Sequence, residues 1–338
     1  MKIGGELGFQ AEPGMPHTKE TAAQRPPIPL CCPVCKQPLT RENAHVSHAP
    51  APVEEGGWVL EPDLVCTCGR FYPVRYGVPD LVHREGFPRK ATKSPFSYDR
   101  LLRLAQIERQ HFWFVGRRAL IQRLLDKHLN RKGQLILDLG CGTGSMLELL
   151  TRQDQWVVGL DLRPEGLRKM RRMLPEAWLL QAEATNLPLM DGAFDAVLAL
   201  DILEHVDDQR LLAEVQRVLR PGGLAIIAVP AMPWLWSYRD EAAGHLRRYT
   251  KRRLFSVLDG AQLRVVELRY YQFVLFPLVV AARLFGRSDP KLRDLEERPL
   301  SALNTVMTWI NELEARLSDV LLWPWGSSLF VVCRKEPA

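Results

Sequence analysis

The sequence predicts an α/β protein: a parallel β-sheet with helices on both faces, preceded by a small cysteine-bearing β module. Three observations carry this. Between residues 134 and 270, short apolar runs alternate with amphipathic stretches, the pattern of strands joined by crossover helices. A glycine-rich loop, Gly140–Gly144, follows the first of those runs and opens a helical pattern. Upstream, four of the seven cysteines fall in two close pairs, Cys32/Cys35 and Cys66/Cys68.

Residues 1–29 are polar and proline-rich without periodicity, which predicts a disordered N-terminal segment. Residues 30–84 hold the cysteine pairs, and 85–99 ("EGFPRKATKSPFSYD") read as a linker. From residue 100 the spacing predicts an N-terminal helical lid, with apolar residues three and four apart and an interruption near Gly116. Within it, Phe112, Trp113 and Phe114 cannot all face one side of a helix. Two are expected in the core and one over the pocket, with Trp113 assigned to substrate. The runs "QLILDLG", "WVVGLDL", "AWLLQA", "FDAVLALD" and "LAIIAVP" predict five strands. "LRVVELRYY" and "SLFVVCRK" add two more, on either side of a helical insert at 274–322. The helix before "LAIIAVP" is stopped by Pro221-Gly222-Gly223.

The 338 residues suffice for a large core, and 46% apolar with 25% charged residues is an ordinary globular composition. A net charge of +6 permits anionic partners without demanding them. The first residues lack the apolar stretch of a signal peptide, and the cysteines do not suggest a disulfide framework, so a reducing, cytoplasmic setting is expected. The most apolar stretch, "YYQFVLFPLVVAARLF", is broken by Pro277. It predicts no membrane span and leaves peripheral membrane contact open. Oligomeric state is not legible.

The glycine loop does not read as a phosphate cradle. A dinucleotide loop has the spacing G-x-G-x-x-G, whereas Gly140, Gly142 and Gly144 are spaced G-x-G-x-G. Asp138, two residues ahead, would repel phosphate, and the lysine of a P-loop is absent. The better fit is a nucleoside carrying an amino-acid tail. Asp138 meets a cationic amine, and Gly142 admits the nucleoside against the backbone. Asp161, 21 residues after Gly140, is placed to accept bonds from ribose hydroxyls. Glu183, ending the next run, can reach the adenine amino group.

In this order and spacing, "LDLGCGTG", "GLDL", "AEATNLPLMDGAFDAVLALDILEHV" and "RVLRPGGLAIIAVP" resemble the class I S-adenosylmethionine-dependent methyltransferases of the type 11 group. The resemblance covers about 134 to 232. It implies a Rossmann-like seven-stranded methyltransferase sheet with an antiparallel last strand, and S-adenosylmethionine as cofactor. Carried over by position, Asp138, Gly140, Gly142 and Gly144 line the methionine side and Asp161 binds ribose. Glu183 and Ala184 lie against adenine, and Asp201 borders the sulfonium. The family usually has Asp where this chain has Glu183.

Transfer from a sulfonium is an in-line displacement, so the protein's task is to align the acceptor and remove its proton. Asp201 and His205 follow the fourth strand and are candidate catalytic residues, with His205 a candidate general base. The run Asp201–Glu204–His205 also resembles an E-x-x-E-H motif that holds a divalent metal in quinone and RNA-terminal methyltransferases. A third reading has Glu204 and His205 only fixing the loop. Farther on, "GHLRRYT" supplies His245 as the rival base. Arg247, Arg248 and Tyr249 are its candidate substrate-binding residues, since arginines pair well with carboxylate or phosphate.

Cys32, Cys35, Cys66 and Cys68 suit a four-thiolate zinc ribbon, although Cys66-x-Cys68 is one residue shorter than a usual knuckle. The module is similar to the small zinc-ribbon activator subunits of methyltransferases. Cys31, Cys141 and Cys333 read as non-ligating; His45 and His48 lie between the knuckles. The expected function is methyl transfer to a hydroxyl or carboxyl of a small-molecule or lipid/glycan-linked acceptor. The alternatives are an RNA (tRNA or rRNA) methyltransferase that uses the ribbon to bind substrate, and a non-catalytic module that recruits a partner.

Overall fold

The computed structural model describes residues 28–41, 63–84, 105–129, 131–285 and 299–337. The predicted disordered segment, apart from its last two residues, lies outside the described residues, as do the predicted linker, His45 and His48. Among the described residues, the N-terminal module has five short strands: β1 (Thr40–Arg41), β2 (Leu64–Val65), β3 (Phe71–Tyr72), β4 (Val74–Arg75) and β5 (Val78–Pro79). The main sheet is built from β6 (Leu135–Leu139), β7 (Trp156–Asp161), β8 (Trp178–Gln181), β9 (Phe194–Leu200), β10 (Leu219–Pro230), β11 (Leu263–Tyr271) and β12 (Ser328–Lys335). Each contains or falls within a predicted run, with β10 starting five residues before "LAIIAVP" and taking in Pro221-Gly222-Gly223. Their order is β11-β12-β10-β9-β6-β7-β8, with β12 antiparallel to both neighbours and β6 to β10 mutually parallel.

The helices are α1 (Phe112–His128), α2 (Ser145–Thr151), α3 (Pro164–Met173), α4 (Asp208–Val218), α5 (Tyr238–Ala243), α6 (Lys251–Gly260), α7 (Phe276–Phe285) and α8 (Ser301–Leu317). Local chemistry sets several starts. Pro164 occupies the first turn of α3, the Asp207 carboxylate accepts from Gln209 and Arg210 N–H, and Ser237 with Asp240 forms a capping box. Alternation along the central strands feeds two apolar layers. Leu135, Leu137 and Leu139 join Leu211, Val215, Leu254 and Leu258 of α4 and α6. On the other face, Ile136 joins Leu120, Leu124, Leu147 and Leu167 of α1 to α3.

The cysteine module continues the first layer through Cys32, Leu64, Tyr72 and Leu81. It also covers the open edge of β8, a position where unpaired backbone would otherwise face water. Leu81 N–H donates to Gln181 C=O at 2.8 Å, Cys31 N–H to Pro188 C=O at 3.0 Å, and Met190 N–H to Pro29 C=O at 2.9 Å.

One sequence expectation needs correction. Helix α1 runs straight through Gly116; the break lies earlier, where Gln110 and His111 turn back onto the Ile107 carbonyl. Glycine is needed at 116 for approach. A Cβ there would sit 2.4 Å from Asn311 Cβ and 2.6 Å from the Tyr271 hydroxyl, so α8 packs directly on the α1 backbone. Polar side chains fix the same contact: Asn304 Oδ1 accepts from Phe112 N–H at 2.9 Å and Tyr271 Oη donates to Trp113 C=O at 3.0 Å. Of the three adjacent aromatics only Phe112 is fully buried, one fewer than expected.

The outer side of α8 is apolar and exposed at Val306, Trp309, Leu313 and Leu317. No described helix is long and apolar enough to cross a membrane. Gly116→Ala is expected to destabilise the protein by about 1–3 kcal/mol through overpacking, measured by denaturant unfolding. An unchanged midpoint would show that α8 does not press on α1.

Candidate functional site

The sheet order places a crevice between β6 and β9. From β6 the chain steps outward over β7 and β8, then returns to pair β9 on the other side of β6. Ligands of open α/β sheets bind at such a reversal, beyond the carboxyl ends of the strands. Asp138 on β6, Asp161 at the end of β7 and Asp201 just past β9 all occur at that end.

Asp138 is 3% exposed. Burial pushes its carboxyl up to about 7, opposed by the nearby positive charge of Arg117 and reinforced by Asp161 and Glu108. Asp161 ties the glycine loop to β7. One carboxylate oxygen accepts from Gly142 N–H at 3.0 Å, the other from Arg163 N–H at 2.9 Å. Burial raises its pKa as well, against those two hydrogen bonds. Each oxygen keeps a lone pair for a further donor.

At Gly144 the loop has no room for a side chain. Gly144 sits at φ +85°, and a Cβ there would lie 2.4 Å from Met170 Sδ on α3. Gly142, at φ +52°, meets nothing closer than the Gly140 carbonyl at 3.7 Å, so its face is open. Glu108 covers the far side of the loop, accepting from the hydroxyls of Thr143 and Ser145. Glu183 and Ala184 follow β8; Glu183 is half-buried and accepts from the Thr185 hydroxyl at 2.6 Å.

Helix α1 reaches into this crevice through Arg117. Its guanidinium lies 2.6 Å from the Asp201 carboxylate and stacks over the Trp113 ring at 5.0 Å. Trp113 thus borders the site through Arg117. Asp201 adopts φ +52°, and its N–H donates to Ala228 C=O at 2.9 Å. Arg117 and Glu108 were missed in the sequence; the only trace was charged residues in a segment read as a lid.

Beyond Asp201, a 3-10 turn (Leu203–His205) delivers Glu204 and His205. Glu204 is completely buried, and among the described residues neither of its carboxylate oxygens is hydrogen-bonded. Desolvation raises its pKa well above the usual carboxylate range, with Asp201 adding to the effect. His245 arrives from the loop after α5, its Nε2 3.9 Å from Glu204 Oε1 and its ring edge-on to His205 at 4.9 Å. Its other nitrogen, Nδ1, pairs with Asp240 Oδ1 at 2.8 Å. Asp240 also takes hydrogen bonds from Arg248 Nε at 2.7 Å and Ser237 N–H at 2.9 Å. Those partners hold its carboxyl well below the usual range despite burial.

The neighbouring candidate substrate-binding residues, Arg247, Arg248 and Tyr249, all have partners within the protein. Arg248 is 7% exposed and spends its donors on Asp240 and the Ala231 carbonyl. Tyr249 is fully buried, with its hydroxyl donating to Asp208 at 2.9 Å. Both sit where backbone bonds to Pro230 and Met232 lay this segment beside the end of β10. Arg248 thereby shares the Asp240 carboxylate with His245. Arg247 is partly exposed but committed to the Val206 carbonyl at 2.8 Å and to Asp208 at 3.3 Å.

In the N-terminal module, Cys32, Cys35, Cys66 and Cys68 bring their sulfurs within 4.8 Å of one another. The contacts are 3.8 Å for Cys32–Cys68 and 3.3 Å for Cys35–Cys66. The shortened second pair still closes because Gly69, at φ +84°, reverses the chain directly after Cys68. Cys31, Cys141 and Cys333 are buried elsewhere.

A family profile described as a methyltransferase domain matches residues 137–227. An uncharacterized methyltransferase of Mycobacterium tuberculosis is 36% identical over 132 residues, 39% of this chain and 51% of the relative. An uncharacterized methyltransferase of Synechocystis is 33% identical over 150 residues, 41% of this chain and 71% of the relative. The chain spans about half the length of the first curated relatives it matches. Among solved structures, one from a complex between a Haloferax volcanii methyltransferase activator and a methyltransferase aligns over 68% of this chain and 92% of its own. Its identity is 20% and its TM-score 0.47. The matched segment runs from the middle of β6 into β10 and carries the glycine loop, Asp161 and Asp201. By that segment and its strand order, the chain belongs to the class I S-adenosylmethionine-dependent methyltransferases.

Proposed function

We propose that the chain transfers a methyl group from S-adenosylmethionine to a hydroxyl or carboxyl oxygen of a small or lipid/glycan-linked acceptor. The observation that carries this reading is a juxtaposition. Just past Asp201, at the carboxyl end of the sheet, lies the cluster of buried Glu204 with half-buried His205 and His245. The crevice suits the cofactor: Asp138 is a buried anion for its ammonium group, and the free lone pairs of Asp161 face the ribose position. Gly142 leaves its side open, Glu183 and Ala184 flank the adenine position, and Asp201 borders the sulfonium. When bound, S-adenosylmethionine supplies a methyl group on a positively charged sulfur.

A carboxylate acceptor needs only alignment, whereas a hydroxyl must also lose its proton. The cluster around His205 and His245 is the place where both tasks can be met, and Asp240 fixes the His245 ring. The apolar outer surface of α7 and α8, with Leu278, Leu284, Val306 and Trp309 exposed, supports an amphipathic acceptor. We also assign Cys32, Cys35, Cys66 and Cys68 to a structural zinc ion. Four sulfurs bound at about 2.3 Å form a tetrahedron with edges of about 3.8 Å, which the Cys32–Cys68 separation of 3.8 Å matches and the 3.3 Å of Cys35–Cys66 approaches.

Methyl-labelled cofactor incubated with fractionated lysate is expected to put label into lipid or small-molecule fractions. Label confined to RNA would replace the acceptor class, and no label despite cofactor binding would remove the catalytic reading. Asp138 must be ionised to hold an ammonium group, and its carboxyl stands at about 7 in the free protein. Affinity for S-adenosylhomocysteine should therefore rise about 10-fold from pH 6 to pH 8. Calorimetry should show this dependence vanish in Asp138→Asn; a flat profile in the native protein would contradict the role. For zinc, metal analysis of purified protein should give at least about one equivalent, reduced by about one in Cys35→Ser. Equal content in both would reject the assignment.

A further inference from the structure

We infer that Glu204, His205 and His245 form a site for a divalent first-row transition cation, with Asp240 orienting one ligand from behind. The role given to that cation, activating the acceptor oxygen, rests on the methyl-transfer reading; the site itself does not. The three residues offer one ligand atom each, all within 4.8 Å of one another.

The cluster has a second, independent feature. A fully buried carboxylate without a hydrogen-bonding partner is costly, and Glu204 is one among the described residues. The imidazole nitrogen His245 Nε2 is 3.9 Å away, too far for a hydrogen bond. That span suits two ligands of one ion. With bonds of about 2.1 Å, six-coordinate ligands lie about 3 Å apart when adjacent and about 4.2 Å apart when opposite.

His245 is oriented as metal-binding histidines are. Its Nδ1 is bonded to Asp240, which leaves Nε2 directed at Glu204. A carboxylate behind the imidazole fixes the ring and increases its basicity toward a metal. Asp240 is in turn held by Arg248 and Ser237, so the orientation is built in. Two imidazoles and one carboxylate suit manganese, iron, cobalt or zinc better than calcium. Three protein ligands leave positions open for water or an acceptor, as in catalytic rather than structural sites.

The ligand set differs from the contiguous run in the sequence. Asp201 is taken by Arg117 at 2.6 Å, and its place is filled by His245, 44 residues downstream. In the reaction the acceptor O–H bond breaks with its proton leaving to water. The new O–CH3 bond forms as the S–CH3 bond breaks, and the electron pair of that bond stays on sulfur. A cation at this site makes the first of these events easier by stabilising the oxyanion.

The test uses the full chain, stripped with chelator and titrated with Co2+, with S-adenosylhomocysteine binding followed separately. Two classes of site are expected: a thiolate class with intense sulfur-to-metal absorption, and a second with weak ligand-field bands only. Glu204→Gln and His245→Gln should each weaken the second class by at least about 10-fold and leave the thiolate bands intact. Cys35→Ser should do the reverse. If either variant fails to fold, Mn2+ added to the native protein gives the answer, because resonances at the sulfur end of bound S-adenosylhomocysteine should broaden most. Filling of the thiolate class alone, survival of the second class in both variants, or no Mn2+ broadening would overturn the site. Failure of the native protein to bind S-adenosylhomocysteine would instead defeat the methyl-transfer reading.

Discussion

The crevice between β6 and β9 depends on how negative charge is accommodated there. Parallel strands deliver Asp138, Asp161 and Asp201 to the same end of the sheet, and the turn after β9 adds a buried Glu204. Burial drives Asp138, Asp161 and Glu204 upward in pKa, and neighbouring carboxylates add to the effect at Asp138 and Glu204. Arg117 offsets part of that charge by its ion pair with Asp201. To the remainder we assign an ammonium group on one side and a cation on the other.

Arg117 can play this part only because α1 is held firmly. Gly116 lets α8 lie against the helix backbone, while Asn304 and Tyr271 bond to its first turn. The helical insert between the last two strands therefore does more than decorate the fold. Through α8 it fixes the helix that carries the compensating charge. At the opposite edge of the sheet, the cysteine module bonds to Gln181, Pro188 and Met190, on either side of Glu183 and Ala184. Both appended parts thus bear on the crevice from outside the central sheet.

All seven main strands were legible because apolar runs bounded by turn residues are a strong local signal. The glycine loop and Asp161 were legible because a sharp loop and its supporting carboxylate keep a fixed spacing. What the sequence concealed was long-range. Arg117 lies 84 residues before Asp201, and nothing local links them. The approach of His245 to Glu204, and the burial of Tyr249, depend on a segment after β10 that the chain brings back beside Pro230 and Met232. The supposed break at Gly116 misjudged a residue whose purpose is helix contact, a use of glycine that a single sequence does not distinguish from helix breaking.

The central claim is that one crevice holds S-adenosylmethionine with its sulfur facing the Glu204–His205–His245 cluster. A crystal structure of the full chain with S-adenosylhomocysteine tests it most directly. The account predicts ribose hydroxyls on Asp161, the ammonium group on Asp138, and the sulfur beside Asp201 on the side of the two histidines. A ligand seated elsewhere, or with its sulfur turned away from His205 and His245, would contradict it.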